Sequence, residues 1–111
     1  MIKRDIKEVA AAPTAHGIGL KQVLLAAAET DSAVTQIART TLRQGEEVEV
    51  HVHRTMDEHY YFLGGKGVMV VDDEAVECRE GIYLLVPQGT GHALKAESDL
   101  TFITIGIAYD K

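Results

Sequence analysis

Apolar and polar residues alternate with a period close to two along most of this chain, and helical spacing is scarce. The stretch from Val34 to Leu42 is rich in β-branched side chains and predicts a strand that stops ahead of Gly45. Val48, Val50 and Val52 then alternate with Glu49, His51 and His53. Further strands are predicted at Tyr60 to Leu63, Val68 to Val71, Ala75 to Cys78, Tyr83 to Val86, His92 to Ala96 and Leu100 to Ile107. Asp72-Asp73-Glu74 and Gly64-Gly65 predict tight turns, and Pro87 to Gly91 a longer one. Lys21 to Glu29, with its alanines, is the one helical candidate. Gly17 and Gly19 precede it, however, and Gln22 to Leu25 suits a strand, so strand is the expectation there. Many short strands separated by Gly-containing turns predict an all-β barrel or sandwich.

The alternation assigns faces. Side chains two apart share one side of a strand, so His51 and His53 point the same way, and Glu49 with them. With those inward, Val48, Val50 and Val52 face out and need a cover, either a second sheet of the same chain or the partner in a homodimer. Glu58 follows just ahead of the next strand, and a hairpin there would bring its carboxylate beside the two histidines. With His92 from a separate stretch, this makes three imidazoles and a carboxylate, a recognised donor set for a divalent first-row transition metal.

Tyr60 and Phe62 share parity with Glu58 and are expected inside; the Tyr60 hydroxyl is placed to donate to a metal-bound oxygen. An inward Glu49 is a candidate general base or a partner for a ligand imidazole. Gln36 and Arg39 fall on opposite faces of their strand. An inward Arg39 would suit an anionic substrate, an inward Gln36 a neutral polar one. His59 falls on the face opposite Glu58, and His16 lies in a loop near the start of the chain, where it is expected to be solvated.

Composition narrows the partners. The 111 residues suffice for one domain with a core. The formal net charge is −6, with no basic cluster beyond Lys3-Arg4, which argues against binding nucleic acid. No apolar run approaches the ~20 residues of a membrane helix, no signal peptide is evident, and a cytoplasmic location is expected. Cys78 is the one cysteine, which excludes an internal disulfide, and its strand setting predicts a packed thiol rather than a redox centre.

Two motifs then carry a family resemblance. The first runs Gly45, five residues, His51-x-His53, four residues, Glu58, six residues, Gly65. The second runs Gly81, five residues, Pro87-x-Gly89, two residues, His92, and Ala96 stands where the pattern has Asn. Both spacings resemble those of the cupins, and the motifs with the segment between them cover about half the chain. The resemblance implies an all-β double-stranded β-helix, or jelly-roll barrel, mainly antiparallel. It implies a single domain over 1–111, with an N-terminal strand segment 1–33 and a barrel core 34–108. It also implies one divalent ion (iron, manganese, nickel, zinc or copper) held by His51, His53, Glu58 and His92, with coordination positions left open. Ala96 leaves those ligands intact and is expected to loosen the barrel wall or widen the pocket. The expected function is a metal-dependent enzyme acting on a small polar molecule, of dioxygenase or sugar/keto-acid isomerase type, with Glu49 or Tyr60 moving a proton. The alternative is a non-catalytic cupin that binds or senses a small ligand.

Overall fold

Ten strands form from these alternating segments in the computed structural model of the chain, which describes residues 1–109. In order they are β1 (Ala12–Pro13), β2 (Leu20–Ala26), β3 (Val34–Leu42), β4 (Glu47–His51), β5 (Met56–Gly64), β6 (Lys66–Val71), β7 (Glu74–Arg79), β8 (Tyr83–Val86), β9 (His92–Ala96) and β10 (Leu100–Ala108). Single 3-10 turns at Ile6–Glu8 and Ala27–Glu29 are the helical elements among the described residues. The segment that read as either helix or strand is thus a strand over Leu20–Ala26, and its last residues turn away.

The strands pair antiparallel in two sheets, one of six strands in the order β1-β2-β3-β10-β5-β8 and one of four in the order β4-β9-β6-β7. From β3 to β10 the chain changes sheet at every step except the β6–β7 hairpin, which closes over Asp72 in a left-handed conformation (φ 52). This jelly-roll path corrects one expectation: β4 and β5 do not form a hairpin but lie in different sheets, so Glu58 meets the histidines face to face. The inner faces bury Leu42, Phe62, Met69, Leu100 and Phe102. Burying such side chains contributes roughly 1.5–3 kcal/mol each and fixes the register, because a one-residue slip would turn them out to water.

Strict alternation fails in β4. Val48 pairs with Leu94 and His51 with His92, so three steps on β4 oppose two on β9. This β-bulge at Glu49 and Val50 reverses parity between Val48 and His51. Val48 is therefore a core residue at 9% exposure, whereas Val50 is 71% exposed. Glu49 is exposed rather than inward. The strand also ends at His51, leaving His53 in the connection that follows. The larger apolar surface lies elsewhere, on the outer face of the six-stranded sheet, where Tyr61, Tyr83 and Leu85 are exposed around Ile103, Ile105 and Ile107.

Cys78 is fully buried beside Val76, and burial pushes its thiol up to about 11. It is a packing residue, as its setting in the strand predicted. Ala96 is likewise fully buried in the core, exchanging main-chain hydrogen bonds with Glu46 and Gly45. It does not line the cavity described below.

Gly65 turns β5 into β6 at φ +86, and a Cβ there would sit 1.9 Å from the Asp99 carbonyl oxygen. Gly45 has the same backbone (φ +87) but nothing within 4 Å of its would-be Cβ. Gly45→Ala therefore costs only the left-handed conformation, about 1 kcal/mol. Gly65→Ala adds a backbone clash and should cost at least about 2 kcal/mol more. Urea unfolding of both variants checks this, and equal losses would contradict the close approach.

Candidate metal centre

His51 and His92 are direct cross-strand partners at the ends of β4 and β9, which brings their ring centroids to 4.1 Å. His53 follows in the connection, where its carbonyl accepts from the Gly89 N–H at 2.8 Å, tying it to the turn that delivers His92. Its ring lies edge-on to His51 at 5.0 Å. Glu58 comes from β5 in the opposite sheet, between Gly106 of β10 and Val86 of β8. One ligand-type atom from each of His51, His53, Glu58 and His92 lies within 4.8 Å of the others. The four residues that the motifs single out are gathered at one place.

The main chain sets the imidazole tautomers. The Nδ1–H of His51 donates to the Glu49 carbonyl at 2.9 Å, and that of His92 to the Thr90 carbonyl at 3.0 Å. Carbonyls only accept, so Nδ1 of each carries a proton, which leaves Nε2 as the atom available to a metal. The buried Nε2 atoms of His53 and His92 have no hydrogen-bond partner, although they lie 3.3 and 3.6 Å from Glu58 Oε1. Two buried imidazole nitrogens beside one carboxylate oxygen, none of them in hydrogen-bond geometry, are costly unless something partners all three. A divalent cation does so, and the donor set fits one.

Glu58 sits in a balance of large opposing effects. Burial raises its pKa, but the approach of His53, His92 and the Tyr60 hydroxyl outweighs burial and leaves it well below the usual carboxylate range. Tyr60 donates a short hydrogen bond to Glu58 Oε1. Its own pKa is raised far above the ordinary 10.0 by burial and by the Glu58 charge, so it remains a phenol at neutral pH. The neighbouring Glu58 raises the pKa of His53, whereas burial lowers that of His51 despite its bond to the Glu49 carbonyl.

His51, His53 and Glu58 form part of the wall of a cavity of about 180 Å³, with His92 buried behind them. That is smaller than the roughly 300–1,000 Å³ of a drug-sized site and suits a small molecule. Tyr60 lines it, as its parity predicted. So does Gln36, which settles the β3 register in favour of Gln36 over Arg39. The Glu49 side chain lies outside, in a surface groove with Glu47 and Ile18, and meets the site only through its carbonyl. His59 is a surface residue bonded to the Tyr83 hydroxyl at 2.6 Å. His16 is exposed, as expected, but its loop also sets its ring 4.4 Å from that of His51 at the cavity mouth. Lys21, Thr40 and Thr104 line the cavity as well, and no motif marked them. Only the parity of β2, β3 and β10 could have found them.

Residues 38–106 match the family model described as Cupin domain. A stretch of 59 residues is 32% identical to an uncharacterised protein of Methanocaldococcus jannaschii, covering 53% of this chain and 47% of that one. The match thus spans about half the length of this curated relative. Among solved structures, a predicted oxalate decarboxylase from Thermotoga maritima superposes with a TM-score of 0.87 at 23% identity, over 97% of this chain and 99% of that one. An ectoine synthase from P. lautus gives 0.85 at 18% identity, over 97% and 78%. At these identities the likeness establishes the fold.

In metal-free protein the raised His53 has a definite linkage. A folded pKa above the ordinary 6.5 means that protonated His53 stabilises the fold below that value, and the contribution fades as pH rises through the folded pKa. The loss of stability on His53→Gln should therefore be largest below pH 6.5 and shrink toward alkaline pH. Chemical unfolding of chelated protein across this range reads it directly; a loss that grows with pH would contradict the ion pair with Glu58.

Proposed function

The chain belongs to the cupin domain family, and on that premise we propose that it is a metal-dependent enzyme of dioxygenase or sugar/keto-acid isomerase type, acting on a small polar molecule. The carrying observation is the convergence of His51, His53, Glu58 and His92 on one point, with two buried imidazole nitrogens left without partners. These four residues would hold one divalent ion. Such an ion supplies Lewis-acid polarisation of a substrate oxygen or, where it is iron, manganese or copper, electron transfer as well.

The other steps fall to this chain's own residues. Tyr60 orients the Glu58 carboxylate and, as a phenol that stays protonated, is the proton donor nearest the cluster. Glu49, whose side chain is turned away by the bulge, serves by fixing the His51 tautomer through its carbonyl. Thr40, Phe102 and Leu94 line the cavity with Tyr60, limiting water around the reacting groups. The homodimer and the cytoplasmic location remain parts of this proposal. The apolar outer face of the six-stranded sheet is the surface offered for the dimer contact, and no described helix is long and apolar enough to cross a membrane.

Elemental mass spectrometry of purified protein should find about one equivalent of a first-row metal, falling at least about tenfold in His92→Ala at unchanged fold. Equal metal in the variant would sink the ligand assignment. Tyr60→Phe should retain the metal while weakening turnover of the small hydroxy- and keto-compounds screened by oxygen uptake and product NMR. Binding of such compounds with no turnover by metal-loaded protein would favour the non-catalytic ligand-binding reading.

A further inference from the structure

The cavity wall facing the cluster is made by β2, β3 and β10, and its polar groups lack partners. Lys21, Gln36, Thr40 and Thr104 all line it. Among the described residues, none of their side chains makes a hydrogen bond or ion pair within the protein. Lys21 is opposite Thr40 in the β2–β3 register, and cross-strand partners share a face, so the lysine projects to the same side as a residue buried to 6% exposure. The chain carries 17 acidic residues against 11 basic ones, and none of the acids pairs with this half-buried lysine. Lys21 is also the one lysine or arginine that lines the cavity.

A cation on a cavity wall with neutral hydrogen-bonding groups beside it and no internal counter-ion is complementary to an anion brought from outside. We propose that the cavity binds a small carboxylic acid, with a carboxylate paired to Lys21 and its remaining oxygens within reach of Gln36, Thr40 and Thr104. This deepens the metal-dependent reading and rests on it for what happens at the other end of the molecule. The single point charge selects a carboxylate over a phosphate. A phosphate dianion is ordinarily met by several cations or by a nest of main-chain N–H groups at a helix start, and this wall, built of strands, provides neither. Arg39, the side chain that would otherwise suit an anion, is on the outer face of β3, so the charge recognition falls to β2.

The test is calorimetric titration of the full chain with malonate, succinate and glutarate, and with the corresponding diamides, in chelated and in metal-reconstituted protein. Lys21→Gln should weaken binding of the best dicarboxylate by about tenfold or more. Lys21→Arg should stay within about threefold, and Lys66→Gln, an exposed lysine on β6, should match wild type. The diamides should be insensitive to Lys21→Gln. Equal dicarboxylate affinity in wild type and Lys21→Gln, no dicarboxylate binding by wild type, or phosphate bound as tightly as the best dicarboxylate would each overturn the assignment. Metal content, measured on the same samples, reports separately on the underlying reading. Protein that takes up no metal but still shows the Lys21 dependence would refute the metal centre and leave the carboxylate site standing.

Discussion

A carboxylate buried between two sheets is the constraint around which this fold is arranged. Glu58 enters from the larger sheet and meets three imidazoles carried by the smaller one and the connection that follows β4. An ionised carboxylate removed from water is costly unless it is surrounded by donors or a cation. Here Tyr60, His53 and His92 all converge on the same oxygen. Each part of the frame nearby serves that convergence. The bulge in β4 lets His51 face inward while Val48 stays in the core, and the turn before β9 sets His92 against His51. The polar centre thereby joins two sheets whose inner faces bury apolar side chains such as Phe62, Met69 and Leu100.

The cavity has two chemically different walls. One carries the titratable cluster, with two buried imidazole nitrogens that lack hydrogen-bond partners. The other carries Gln36, Thr40 and Thr104 with the lysine of β2. Aromatic packing of Tyr60, Phe62 and Phe102, with ring centroids 5.4 to 6.1 Å apart, fills the space behind them and holds both walls in place. The titratable cluster and the polar wall facing it therefore sit on different strands, and each is supported by its own neighbours.

Much of this was legible in the chain. Strands β3, β8 and β9 begin and end at the residues that the period-two pattern marks, because each is bounded by turn residues and half-buried on one face. The four ligand-type residues were legible from spacing, since their positions relative to the turn glycines leave little freedom in where they land. The direction of Glu49 was not. A bulge inserts one residue without a composition signal, and every parity argument beyond it reverses. The choice between Gln36 and Arg39, the face of Lys21 and the crossing from β4 to β5 all depend on pairing between distant segments, which alternation within one strand does not encode. His16 was read as a loop residue and is one, yet the loop folds back over His51, a contact set by the β1–β2 hairpin rather than by its own sequence.

The polar wall and the ligand-type cluster come from different parts of the chain. The stretch shared with the cupin family covers residues 38–106 and contains all four ligand-type residues, whereas His16, Lys21 and Gln36 precede it. The ligand-type cluster thus lies wholly inside the matched stretch, whereas Lys21 and Gln36 of the facing polar wall belong to the leading strands and the first residues of β3. Substitutions in that leading segment can therefore reshape the cavity while leaving the four ligand-type residues where they are.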